Sequence, residues 1–410
     1  MWRDIMKKIF KQFLKRISPL IYLPEIIVLT IIGSLKYKRF NKCWLISERG
    51  DEAKDNGYHL FKYIQDNKIN CHTYFLIRKD SNDYKKLNKY KNIIEYGGYK
   101  HKIAYLLSEC LISTHYHSIN PWKYIDLKDL KKIYRLIHKN KKYVFLQHGI
   151  IMNDVSDYLG KKNTDFDLFI CGAKPEYEYI KERFSYNESE IAYTGLPRFD
   201  NLNNYKVKNQ ILLMPTWRGY LKLLDDSLFL QSDYYNQFQS LLNNTKLINL
   251  LNKYDHELIF YPHYEMQKYI KYFYSSSEKI RFAYKNKNDV QELLKESKLL
   301  ITDYSSVFFD FAYMKKPTIY YQFDQKEFFT KHYKAGYFIY EKHGFGPVCL
   351  DEELCIEYIE RYFKDKFKVE DIYTTRRNSF FELNDNLNCN RIVDGSYTHL
   401  TMQTNREVEN

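Results

Sequence analysis

Short apolar runs of four or five residues, separated by amphipathic stretches, limit this chain to an α/β architecture. Cys43–Ser47 (CWLIS), Thr73–Ile77 (TYFLI), Asn92–Glu95 (NIIE), Cys110–Ser113 (CLIS), Tyr143–Gln147 (YVFLQ) and Leu168–Cys171 (LFIC) read as buried strands. Helical patterns such as Gly57–Gln65 and Lys100–Ser108 lie between several of them. Such alternation predicts a parallel sheet with helices on both faces. The pattern then restarts: Gln210–Met214, Leu258–Tyr261, Leu299–Thr302 and Thr318–Tyr321 form a second set of strands, with helical stretches at Phe238–Asn252, Val290–Ser297 and Phe308–Met314. Two α/β units of similar size predict two Rossmann-like domains, joined near the polar stretch Asn201–Asn209. Ligands in such sheets bind beyond the strand carboxyl ends. Two facing domains would therefore hold a site in the cleft between them. A length of 410 residues agrees with two cores rather than one.

The first forty residues follow a different rule. In Trp2–Arg16 the apolar Trp2, Ile5, Met6, Ile9, Phe10, Phe13 and Leu14 repeat at helical spacing, and Arg3, Lys7, Lys8, Lys11, Lys15 and Arg16 accompany them. This is the pattern of a helix lying in a lipid interface. Ile17–Leu35 is mostly apolar but contains Pro19, Pro24, Glu25 and Gly33, which makes it a poor spanning helix. A monotopic anchor is the preferred reading, with a single span or a core helix as alternatives. No removable signal peptide is expected, because no small-residue cleavage site is evident. A net charge of +13 favours anionic partners. The basic end beside an apolar run points to membrane, and no zinc-finger spacing or aromatic RNA-binding signature supports nucleic acid. The seven scattered cysteines include no C-x-x-C, so free thiols in a reducing cytoplasm are expected.

Five places at strand ends hold the polar groups best suited to chemistry. His148-Gly149 offers an imidazole, suited to general-base work, beside a glycine that lets a ligand approach the backbone. Gly195 to Asp200 carries Arg198 after a Gly/Pro turn, and Pro215-Thr216-Trp217-Arg218 follows a strand. Either arginine could meet a phosphate with a forked hydrogen bond; the plain alternatives are a surface ion pair for Arg198 and packing for Trp217. Tyr261-Pro262-His263 places a second histidine at a strand end, in what looks like a matching position. Ile301 to Asp310 (ITDYSSVFFD) is the strongest signal. Its strand ends at Thr302 and Asp303, and a helix beginning near Ser305 and Ser306 would present N–H groups to a phosphate. The plain alternative is an ordinary N-cap. The chain contains no P-loop, no G-x-S-x-G elbow and no H-E-x-x-H. His115 and His117 lack partners at metal-ligand spacing, so no metal is expected.

Taken in order, these five motifs and the late Gly346-Pro347 turn resemble the CDP-glycerol glycerophosphotransferase family, which builds teichoic acids and related capsules. The likeness covers roughly Cys43 to Leu350 and departs from the family at Gln147 and Ile150, where Trp and Thr are common. The resemblance implies a GT-B-like α/β fold, two Rossmann-like domains facing a central cleft. Residues 1–40 would form the membrane-associating helical segment, 41–205 the acceptor-side domain and 206–410 the donor domain with its tail. It implies His148 and His263 as the catalytic pair. Donor-binding residues would be Gly149, Arg198, Thr216, Arg218, Thr302, Asp303, Ser305, Ser306 and Asp310, with no cofactor and no metal. The implied partners are CDP-glycerol, a lipid-linked or polymeric acceptor and the cytoplasmic face of the membrane. CDP-ribitol or a sugar nucleotide is the alternative donor, and a non-catalytic membrane scaffold that binds anionic polymer is the rival reading.

Overall fold

The computed structural model describes the backbone of residues 2–125, 127–137 and 140–395. The chain divides into two compact units: Met1–His148, Ser156–Asp200 and Asp385–Asn410 make the first, and Gly149–Val155 with Asn201–Asn384 the second. The split falls at Asp200, just before the predicted join. The last segment departs from expectation. Residues 385–395, assigned from sequence to the second domain, belong to the first unit. The cause is specific. The Asp200 carboxylate accepts hydrogen bonds from the backbone N–H of Asn388 (3.0 Å) and Cys389 (2.8 Å) and from the Asn388 amide (2.7 Å). Cys389, Ile392 and Val393 then join the first core.

In the first unit the strands are β1 (Trp44–Ser47), β2 (Thr73–Ile77), β3 (Ile93–Glu95), β4 (Cys110–Ser113), β5 (Lys142–Phe145), β6 (Leu168–Cys171) and β7 (Ile191–Tyr193). They form one parallel sheet in the order β3-β2-β1-β4-β5-β6-β7. In the second unit β8 (Gln210–Leu213), β9 (Glu257–Phe260), β10 (Ile280–Phe282), β11 (Leu299–Thr302), β12 (Thr318–Tyr321) and β13 (Val348–Cys349) are ordered β10-β9-β8-β11-β12-β13, again all parallel. β1, β4, β6, β8, β11 and β12 are buried along their whole length, as strands covered on both faces must be. In each sheet the chain reverses direction of travel between the first and fourth strands, β1/β4 and β8/β11. That reversal is where open α/β sheets open a crevice at their carboxyl ends.

Buried lysines close two helices in the same way. Lys141 Nζ donates to the carbonyls of Tyr105 (2.5 Å) and Leu106 (2.8 Å) at the end of helix Tyr99–Leu107. Lys316 Nζ donates to Leu294 (3.0 Å), Lys295 (2.6 Å) and Ser297 (2.8 Å) at the end of helix Val290–Glu296. A cation there answers both the unpaired carbonyls and the negative end of the helix dipole. Burial pulls both ammonium groups down to about 7.

The N-terminus is one helix, Trp2–Lys36, continuous through Pro19 and Pro24, where the sequence suggested two segments. Tertiary packing overrides the local cost of proline here. Ile26 and Leu29 are buried, and Gly33 lies against Ile103 and Leu107. Glu25 accepts from Lys102 (2.5 Å) and from the Trp122 indole (2.9 Å). The opposite side of the helix leaves Leu20, Ile27, Ile31 and Leu35 exposed. Ile17–Lys36 is long and apolar enough to cross a membrane. Met6, Phe10 and Phe13 are exposed. The side chains of Trp2, Arg3, Ile5, Lys7, Lys8, Ile9, Lys11, Lys15 and Arg16 lie outside the described residues.

Gly346 cannot carry a side chain. A Cβ there would penetrate the carbonyl oxygen of Thr318 in β12. Gly346→Ala is expected to lower stability by about 3 kcal/mol or more. Gly395→Ala, where a Cβ meets nothing, should be nearly neutral. Urea unfolding of the two variants checks the contrast.

Candidate functional site

Polar groups gather at the carboxyl ends of both sheets. In the first unit the chain leaves β5 through Gln147, whose φ of 49° is left-handed. A non-glycine residue holds that conformation only when its surroundings enforce it. The Gln147 amide donates to the Ile170 carbonyl (2.9 Å) and to Glu176 (3.0 Å). Its carbonyl accepts from Asn56 (2.8 Å). The kink turns His148 out of the strand, and the residue is exposed.

His148 is held from more than one side. Arg198 Nη1 donates to its backbone carbonyl at 2.8 Å and to Asp55 at 3.0 Å. The His115 ring stacks on the His148 imidazole, with centroids 4.7 Å apart and planes 12° off parallel. Desolvation lowers the His148 pKa first, Asp55 opposes it, and the Arg49 and Arg198 charges lower it further. By surface area the residue is exposed, while the protein packed around it still strips hydration from the ring; the accessible face makes that desolvation partial.

Arg198 was expected to meet a donor phosphate. It is buried, and its Nη1 joins Asp55 to the His148 carbonyl. Asp55 and Arg49, which sequence reasoning passed over, complete this group. Asp55 is legible in hindsight as the N-cap of helix Asn56–Asp66. His115 was weighed only as a metal ligand, and its Nε2 is taken by Arg49 at 3.0 Å.

The second unit gathers the remaining predicted residues. Gly149 is buried and is the first residue of that unit after His148. Arg218 is fully enclosed. It pairs with Asp303 at 2.9 Å and with both oxygens of Asp324, at 2.6 and 3.0 Å. Its remaining donors reach the carbonyls of Thr216 (3.2 Å) and Trp217 (3.4 Å). Tyr304, Phe328 and Tyr234 surround the guanidinium with their rings. Burial works against the Arg218 charge, but the Asp303 and Asp324 carboxylates hold its pKa above the ordinary value. Burial pushes the Asp303 carboxyl up, against Arg218 and the N–H groups of Thr216 and Tyr304. Contact with the guanidinium at 2.9 Å favours the ionised pair.

Arg218, Asp303 and Thr302, expected from sequence to contact the donor, are buried and bonded to protein groups that build a floor. Asp303 is fully buried, accepting from the N–H of Thr216 (2.8 Å) and of Tyr304 (2.6 Å). Thr302 Oγ1 donates to the Met214 carbonyl at 2.7 Å. Asp324 was missed because it lies 106 residues from Arg218 in the chain.

On this floor stand Thr216, Ser305 and Ser306. None of their hydroxyls has a hydrogen-bond partner among the described residues. They flank Asp303 at the β8/β11 reversal, so they are donors held in place and unspent. Asp310 is buried in helix Val307–Tyr313. His263, after β9, accepts the Glu265 N–H on Nδ1 at 3.3 Å and lies parallel to the Trp217 indole, with centroids 6.0 Å apart. Accepting on Nδ1 leaves the proton of the neutral ring on Nε2.

Comparison with known proteins identifies the family and the fold. The family model described as CDP-Glycerol:Poly(glycerophosphate) glycerophosphotransferase matches residues 29–395. The minor teichoic acid biosynthesis protein GgaB of Bacillus subtilis is 37% identical over 361 residues, covering 86% of this chain and 39% of that protein. A teichoic acid poly(glycerol phosphate) polymerase of Bacillus spizizenii is 31% identical over 266 residues, covering 64% of this chain and 55% of that protein. This chain thus spans from 39% to 55% of the length of these two relatives. A solved structure of the wall teichoic acid polymerase TagF, carrying a histidine-to-alanine substitution, shares the fold at a TM-score of 0.67 and 18% identity, over 96% of this chain and 99% of that one. The two parallel-sheet α/β units are therefore of the GT-B-like type.

If Arg218 is floor rather than ligand contact, Arg218→Met should cost about 3–5 kcal/mol of stability, because it strands two buried carboxylates. Chemical denaturation measures this directly. A stable variant with only a raised KM would restore Arg218 to the ligand.

Proposed function

Because the chain belongs to the CDP-glycerol:poly(glycerophosphate) glycerophosphotransferase family, we propose that it transfers glycerol phosphate from CDP-glycerol to a teichoic acid or related polymer acceptor, releasing CMP. The observation that carries this reading is the set of unspent hydroxyls of Thr216, Ser305 and Ser306 at a sheet reversal, above a fixed ionic floor. Hydroxyls so held suit the diphosphate of a nucleotide donor.

In this mechanism His148 takes the proton from an acceptor hydroxyl. The acceptor oxygen attacks the β-phosphorus, a new P–O bond forms, and the bond to the CMP oxygen breaks. CMP leaves with the bonding pair. His263 donates through Nε2 to a phosphoryl oxygen, and the three hydroxyls stabilise the charge that gathers there. A base must begin unprotonated. The lowered pKa of His148 meets that need near neutral pH, with activity persisting as pH falls below the ordinary histidine value and failing only further down.

The same reading puts the enzyme on the cytoplasmic face of the membrane. Leu20, Ile27, Ile31 and Leu35 would enter the lipid while the opposite face of the helix stays docked through Ile26, Leu29 and Gly33. Replacing those four exposed residues with serine should abolish flotation with anionic vesicles. Flotation of the variant at the wild-type level would remove this helix from membrane binding.

His148→Asn is expected to fold normally and to lose about 10²–10⁴ of its CMP release with CDP-glycerol and a lipid-linked acceptor. Product mass from CDP-glycerol and CDP-ribitol side by side identifies the polyol. Absence of CMP release from either donor by the wild-type chain would favour a polymer-binding scaffold instead.

A further inference from the structure

We propose that Arg49 and His115 form a positioning dyad that fixes the His148 ring and keeps a positive charge behind it. The inference rests on the reading of His148 as the general base. It begins from hydrogen-bond chemistry. A guanidinium only donates, so the Arg49 Nε contact at 3.0 Å requires a lone pair on His115 Nε2. The ring proton of His115 then sits on Nδ1 and is donated to Thr114 Oγ1 at 2.9 Å. Both edges of the ring are committed. Its tautomer and its plane are set from opposite sides.

That plane is what His148 rests on. The two imidazoles lie 12° from parallel with centroids 4.7 Å apart. His115, just past the end of β4, thus holds His148 by its face. A protonated His115 would place a cation in the stack. Burial, then the proximity of His148 and Arg49, keeps it neutral, down to about 2. His115 therefore never competes for the acceptor proton. The charge belongs to Arg49, one residue away through the dyad.

The groups acting on His148 are Asp55 on one side and Arg49, Arg198 and the neutral His115 on the others. Asp55 favours the imidazolium and is itself paired with Arg198. Arg49 lies 3.8 Å from Glu52, and its charge lowers the His148 pKa. Removing that charge must make His148 easier to protonate.

Histidine-selective NMR titration of the full chain tests the dyad without using activity. In Arg49→Met the His148 pKa should rise by about half a unit, and the acid limb of kcat/KM should move to higher pH by the same amount. His115→Phe keeps a ring in the stack but loses the Arg49 anchor, and kcat should fall by about tenfold with the donor KM unchanged. An unaltered His148 titration in folded Arg49→Met overturns the proposal, and this variant decides if His115→Phe does not fold. Full activity in His148→Asn would instead defeat the general-base reading, and the NMR shift would still judge the dyad.

Discussion

A guanidinium keeps its charge even without access to water, so a buried one must be answered by opposite charge or it destabilises the fold. Arg218 is answered by Asp303 and Asp324, and the three residues come from the loops after β8, β11 and β12. Removing one partner would leave an uncompensated buried ion, so the loops are tied together. The same Asp303 carboxylate accepts the N–H of Thr216 and of Tyr304, which sets the backbone on either side of it. The positions of the Thr216 and Ser305 hydroxyls follow from that one cluster. Its cost is electrostatic, and its return is a surface whose donors do not wander.

The first unit repeats the topology and changes the chemistry. The loop after its first strand again supplies an arginine, Arg49, and the loop after its fourth supplies the partner, here His115. Arg218 with Asp303 is the corresponding pair in the second unit. A carboxylate partner gives a sealed ion pair. A neutral imidazole partner adds no countercharge to the arginine, and the Arg49 charge lowers the His148 pKa. The two candidate catalytic histidines are not equivalent, although both look alike in sequence. His148 follows the fifth strand of its sheet and His263 the second of its own.

Ten of the strands were legible because each is a compact apolar run; five match to the residue and the ends of the other five differ by one or two. The three that were missed, β7, β10 and β13, are two or three residues long and sit at sheet edges or next to them. Runs so short carry no periodic signal. The stretch Phe238–Asn252 was read as one helix but is two, Asp233–Asn243 and Thr245–Lys253. Asn244 adopts extended backbone and caps the second with its side chain, accepting from Lys246 and Leu247. The return of the C-terminal segment to the first unit was illegible for another reason. It depends on Asp200 meeting Asn388, two residues far apart in the chain, and no local pattern encodes that.

The arginines show where sequence reading of a site stops. Arg198 and Arg218 each follow a turn at a strand end, where a phosphate could be expected, and each is paired with a carboxylate, 143 and 106 residues away respectively. Whether such an arginine serves a ligand or the fold is decided by which acids the topology brings beside it. Hydroxyls raise no such ambiguity of charge. Thr216, Ser305 and Ser306 could be named from sequence because a short side chain at the end of a buried strand has few places to go. What the sequence withheld is the floor beneath them, and with it the reason that neutral donors, rather than the buried guanidinium, are left facing outward.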